Sequence, residues 1–146
     1  MKIDSSYSFK LSLQEVWDLL QDPQVLVACL PGCQKFDMVD QDTYEVEIKL
    51  GVGPVVGFYK GKISITERSF PESYRLRIKG GGPMGTAEGE ALFKFSNIDG
   101  QTRVDVESNA KVTGVVARVG QRMMGSASRM LMNQFFDCIK TKMENH

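Results

Sequence analysis

The chain has 146 residues, 42% of them hydrophobic and 25% charged, a composition that predicts one globular domain over residues 1–146 with a buried core. Eighteen Lys and Arg balance eighteen Asp and Glu, which argues against the broad basic footprint of a nucleic-acid-binding protein. Three cysteines are too few for a disulfide framework, the opening MKIDSSYSFKLS lacks the build of a signal peptide, and no uncharged stretch approaches the roughly 18 apolar residues of a spanning helix, so a cytoplasmic protein is expected.

Ile3, Ser5, Tyr7 and Phe9 alternate with polar residues, the period of a half-buried strand. Ser12 and Glu15 form a capping box that opens a short helix through Val16, Leu19 and Leu20, and Asp22-Pro23 restarts a second one through Val25 to Ala28. Pro31-Gly32 ends it. Alternation then returns in five runs, Tyr44–Leu50, Tyr59–Ile65, Tyr74–Ile78, Ala91–Phe95 and Val104–Val106, separated by turn residues that imply hairpins. From about Gly114 to the end the period becomes helical, and Val116, Val119, Gly120, Met123, Ala127, Met130, Leu131 and Cys138 share one stripe, expected to face the sheet. A second stripe, Met132, Phe136 and Ile139, is either packed internally or a docking surface. The expected fold is α+β: a curved antiparallel sheet of six or seven strands around a long C-terminal helix, with two short helices after strand one.

Gly80, Gly82 and Gly85 formally match a dinucleotide fingerprint with Asp105 twenty residues on, but the run that follows reads as a strand rather than the helix that must hold a pyrophosphate. It is expected to be a flexible glycine-rich connection, with Met84 at its tip, able to gate an interior space. Cys29 and Cys33 lack partners for a zinc site, and small buried thiols explain them better. The single histidine is His146, which excludes Ser-His and Cys-His chemistry; Glu88 and Glu90 are the carboxylates nearest an expected pocket rim. Five of eight methionines lie in the last helix, and Gly120 and Ala127 on its expected inner stripe leave room that a filled core would not. An apolar cavity is expected there, lined by Gly120, Met123, Ala127 and Val116 with Tyr59, Ile63, Tyr74 and Phe93. Leu26, Leu30 and Met84 would form its lips.

Leu30-Pro31-Gly32-Cys33, Val52-Gly53-Pro54 leading to Phe58-Tyr59-Lys60-Gly61-Lys62, and Gly114 through Val119-Gly120-Gln121-Arg122 into Phe135-Phe136 follow one another in an order that resembles the CoxG family, named for the G subunit of carbon monoxide dehydrogenase. That family belongs to the START/polyketide-cyclase (Bet v 1-like) superfamily with the helix-grip fold. The resemblance implies an accessory of molybdenum hydroxylases, implicated in membrane attachment or in handling a quinone-like electron acceptor, within a superfamily that binds lipids, sterols and other apolar molecules. Many members carry a hydrophobic tail; this sequence stops at Lys142-Met143-Glu144-Asn145-His146, so peripheral contact at the inner face of the membrane is the expectation. The combined reading is a non-enzymatic carrier of a lipid- or quinone-like ligand, with no catalytic residue, metal or cofactor. Oligomerisation is left open. The alternatives are a cyclase- or hydrolase-like enzyme, or a docking protein without ligand.

Overall fold

A computed structural model describes residues 2–52, 55–118 and 121–144, the side chains of 52, 55, 116, 121–124 and 144 excepted. The described elements run β1 (Lys2–Phe9), α1 (Leu13–Gln21), α2 (Pro23–Cys29), β2 (Cys33–Asp40), β3 (Thr43–Val52), β4 (Val55–Ser69), β5 (Ser73–Gly82), β6 (Gly85–Ile98), β7 (Gln101–Val112), α3 (Val115–Arg118) and α4 (Gln121–Glu144). The strands form one sheet in the order β1-β7-β6-β5-β4-β3-β2, every neighbouring pair antiparallel. Because β1 and β2 occupy opposite edges, α1 and α2 carry the chain from one edge of the sheet to the other.

Local chemistry sets those two helices. The Ser12 hydroxyl accepts from the Glu15 amide at 3.3 Å, and the Asp22 carboxylate accepts from the Gln24 amide at 2.9 Å with Pro23 in the first turn. Gly32 lets the chain leave α2 for β2: its φ is +70°, and a Cβ there would lie 1.9 Å from the Lys49 carbonyl oxygen. Trp17 on α1 meets Tyr74 edge-on at 5.2 Å and lies 5.1 Å from Phe95, which fastens the helix to β5 and β6.

On the concave face β4 and β5 meet at a pair of glycines. Gly61 and Gly80 are direct cross-strand partners, and a Cβ on Gly61 would come within 2.6 Å of the Lys79 carbonyl oxygen and 2.9 Å of the Gly80 Cα. A side chain at either position would force the strands flatter, so these glycines hold the curvature.

Four expectations change. Cys33–Asp40 is a strand that alternation does not reveal, because its pairing with β3 shifts register twice, between Cys33 and Lys35 and between Met38 and Asp40, leaving Met38 and Val39 both exposed. The Gly80–Gly85 run is not a loose connection: β5 continues to Gly82, which pairs with Gly85, and only Pro83-Met84 turns. Cys29 and Cys138 are not separate thiols but a disulfide joining α2 to α4, while Cys33 is free and donates to the Lys35 carbonyl. The second stripe of α4, roughly 140–200° round from Val116 at 100° per residue, is the one packed internally. Phe136, Ile139 and Met143 are buried in the core and Met130 is half-exposed. Burying a large side chain is worth about 1.5–3 kcal/mol, so Phe136 and Ile139 outweigh the small residues on the other stripe.

Candidate functional site

Strand alternation sends Tyr44, Val46, Ile48 and Leu50 of β3, Ile63 and Ile65 of β4, Tyr74, Leu76 and Ile78 of β5, and Ala91 and Phe93 of β6 to the concave face. They do not fill it. A chamber of about 360 Å³ lies between these side chains and a cover made by Leu20 of α1, Leu26 of α2, Leu30 and Pro31 beyond it, and Leu131, Met132, Phe135 and Phe136 of α4. A second chamber of about 270 Å³ continues toward the glycine-lined end, bounded by Tyr59, Gly61, Gly80, Gly81, Ala87 and Val112. Ile48, Leu50, Ile63 and Ile78 border both, so the two apolar lobes adjoin. Their length comes from sheet curvature and their breadth from the missing side chains at the glycines.

Polar groups in the larger lobe are few and neutral. The Ser108 hydroxyl donates to the Ile3 carbonyl at 2.7 Å. Burial pushes the Tyr74 hydroxyl far above the ordinary tyrosine range, only partly opposed by the Arg68 guanidinium. In the second lobe Tyr59 donates to the Val56 carbonyl at 3.2 Å, and its pKa is likewise raised by burial, with that hydrogen bond pulling the other way. Both phenols stay protonated at neutral pH, so they offer hydrogen bonds and no base. Among the described residues, no carboxylate borders either lobe.

Of the residues expected to line the site, Leu26, Leu30, Ile63, Tyr74 and Phe93 meet around the larger lobe, and Tyr59 with Ile63 borders the smaller one. Ala127 is buried, but borders neither lobe; Met84 sits half-buried at the β5–β6 turn and borders neither. Gly120 and the side chains of Val116 and Met123 lie outside the described residues. Tyr44, Val46, Ile48 and Leu50 are further wall residues, and their shared strand parity is the signal in the sequence that points to them. Met132 and Phe136 of the second stripe pack internally and, with Phe135, form wall not expected from the sequence, because the smaller residues of α4 suggest a different inner face.

Glu88 and Glu90 are not at the rim of this space. Opposite parity to Ala91 and Phe93 puts them on the outer face, in a shallow depression of about 640 Å³ with Lys62, Arg77, Lys79 and Lys111. Glu90 pairs there with Arg75 at 3.2 Å and with Arg77 at 4.0 Å. Although this depression is the larger one, its interleaved charges are those of a solvated sheet face; the half-open apolar lobes are where an organic molecule could be buried.

Against known structures, the chain is similar to a conserved protein from Geobacillus kaustophilus, at 29% identity over 99% of this chain and 96% of that one, with a TM-score of 0.95. A START superfamily protein from Mycobacterium smegmatis superposes with a TM-score of 0.80 at 8% identity, covering 99% and 97% of the two chains. Ara h 8.0201 superposes with a TM-score of 0.74 at 10% identity over 100% and 99%. The fold is therefore START/Bet v 1-like. No curated protein matched the sequence significantly. The family profile for CoxG, the G subunit of carbon monoxide dehydrogenase, spans residues 7–144, and the chain belongs to that family.

Proposed function

We propose that the chain, acting as one domain, is a non-enzymatic carrier that buries a lipid- or quinone-like molecule in the two-lobed space under α2 and α4. It would serve as an accessory to a molybdenum hydroxylase of the carbon monoxide dehydrogenase type. The observation that carries this reading is a pair of adjoining apolar lobes that share four wall residues and have no carboxylate in their walls among the described residues. Affinity in such a site comes from area removed from water and from the close fit of the aromatic and branched walls. Cyclase- or hydrolase-like catalysis would need convergent acid and base groups, and a docking protein without ligand would have no use for unfilled volume beside its core, since protein interiors are ordinarily close-packed. Membership of the CoxG family supports the dehydrogenase association, and peripheral work at the inner face of the membrane suits a carrier of membrane-soluble molecules.

Trp17 is the sole tryptophan and packs within 5.2 Å of Tyr74, a wall residue, so it reports occupancy. Titrating decyl-ubiquinone should quench its fluorescence with saturation. Ala91→Phe, which projects a ring into the larger lobe, should abolish that saturable component while the protein stays folded. Quenching that is linear in quinone, or undiminished in Ala91→Phe, would refute the placement.

A further inference from the structure

We infer that the Cys29–Cys138 disulfide is a redox latch on the apolar space: while the bridge is intact α2 is pinned to α4, and its reduction by a dithiol frees α2 and speeds ligand exchange. This inference rests on the carrier reading of the cavity. The bridge stands directly behind wall residues. Leu26 and Leu30 flank Cys29 on the α2 side, and Phe135 and Leu131 precede Cys138 by about one and two turns of α4. The Cα atoms are 5.4 Å apart, and 109 residues of chain separate them. The cross-link therefore closes the seam between two covers of the chamber, not a hairpin of the sheet.

Without the bond α2 is held to its neighbours α1, β2 and α4 by non-covalent packing alone, chiefly through Val25 and the half-buried Leu26. It is seven residues long, too short to persist as an isolated helix, and only Val25 and Cys29 are buried on it. The sheet, by contrast, has continuous ladders and a core of its own. A domain of this size does not need a staple for stability, and a single bridge between two covers is placed where opening it changes access and leaves the sheet intact.

The chemistry is ordinary exchange. Cys138 is only half-buried and Cys29 nearly completely so, which makes the Cys138 sulfur the one an incoming thiolate reaches. Attack there breaks the Cys29–Cys138 bond, forms a mixed disulfide on Cys138 and leaves Cys29 as a thiolate that takes up a proton. The second thiolate of the reductant then displaces Cys138, which is protonated in turn, and the reductant leaves as a cyclic disulfide carrying off two electrons fewer. Cys33 is a poor internal substitute for that reductant, because burial raises its pKa and its thiol donates to the Lys35 carbonyl.

Two measurements test the latch on the whole chain. Release of Nile red into excess phosphatidylcholine vesicles should be about tenfold faster in dithiothreitol than in the oxidised protein; Cys138→Ala should be fast with or without reductant, and Cys33→Ser should respond like wild type. Amide exchange should rise on reduction in residues 23–30 and leave β4 to β7 protected. Equal release rates for bound dye in the two redox states overturn the latch. If Nile red does not bind in either state the carrier reading fails, and the exchange experiment then decides the latch: unchanged protection of residues 23–30 overturns it. Should Cys138→Ala not fold, wild type with and without dithiothreitol gives the same comparison.

Discussion

Tyr7 stacks on Phe136 with ring centroids 3.9 Å apart and planes 18° from parallel, while its hydroxyl donates to Asn133 Oδ1 at 2.9 Å. Through this pair the edge strand β1 holds the middle of α4, and Phe9 adds a second ring 6.1 Å from Phe136. Phe136 also forms part of the chamber wall, so one side chain anchors the helix and shapes the site.

Phe136→Ala should therefore cost about 3–5 kcal/mol in urea unfolding, the usual range for removing a fully packed aromatic ring. Tyr7→Phe keeps the stack and loses only the hydrogen bond to an exposed amide, so it should cost no more than about 1 kcal/mol. Equal costs would mean that the hydrogen bond, not the packing, seats α4.

Two glycines should respond with opposite signs. A Cβ on Gly80 would meet the Lys60 carbonyl oxygen at 2.8 Å and the Gly61 Cα at 3.1 Å, so Gly80→Ala should destabilise by about 1–3 kcal/mol as the strands part. Gly125, inside α4, has nothing within 4 Å of a built Cβ, and Gly125→Ala should stabilise by up to about 1 kcal/mol through helix propensity. Thermal melts of the two variants give the test; stabilisation by Gly80→Ala would show that glycine there does not set the bend.

Most of the sheet is legible in the sequence because Tyr44, Val46, Ile48 and Leu50 keep one parity while Glu45, Glu47 and Lys49 keep the other. β2 is not, since two register shifts and its edge position erase the period. The capping chemistry of Ser12 and Asp22 locates both short helices, since it is local. The facing of α4 and the Cys29–Cys138 bridge are matters of tertiary packing: apolar residues lie on two sides of that helix, and nothing in the spacing of three cysteines says which pair meets. The site follows the same division. The strand-borne wall residues Ile63, Tyr74 and Phe93 can be reached by alternation and Leu26 and Leu30 from the uncharged α2 segment, whereas the α4 part of the wall depends on how that helix is turned.

Ala127 shows what that difference predicts. If it faced the chamber, Ala127→Phe would fill empty volume and block an apolar probe at modest cost. It is buried yet borders neither lobe, so Ala127→Phe should overpack, destabilising by about 1–3 kcal/mol and leaving Nile red affinity within about twofold. Loss of dye binding without loss of stability would return Ala127 to the wall.

Acid and alkaline limits should be set by different groups. Asp105 lies below the ordinary carboxylate range because it accepts from Ser6 and, at 2.9 Å, from Arg103 Nε, while partial burial opposes them. A depressed folded pKa adds stability above the unfolded value of 3.8 that is lost as pH falls through the folded one; the site is partly exposed, so the effect is small. Tyr74 works in the opposite sense. Its raised folded pKa means that stability is fully present below the ordinary value of 10.0, and declines as pH rises past it and the unfolded state alone sheds the proton. Tyr74→Phe should therefore unfold at a higher alkaline pH than wild type while melting within a few degrees of it at pH 7. Tyr7 and Tyr59 are shifted the same way and should leave a smaller alkaline transition in the variant. An alkaline midpoint that does not move in Tyr74→Phe would mean that the buried phenol is not what limits the fold at high pH.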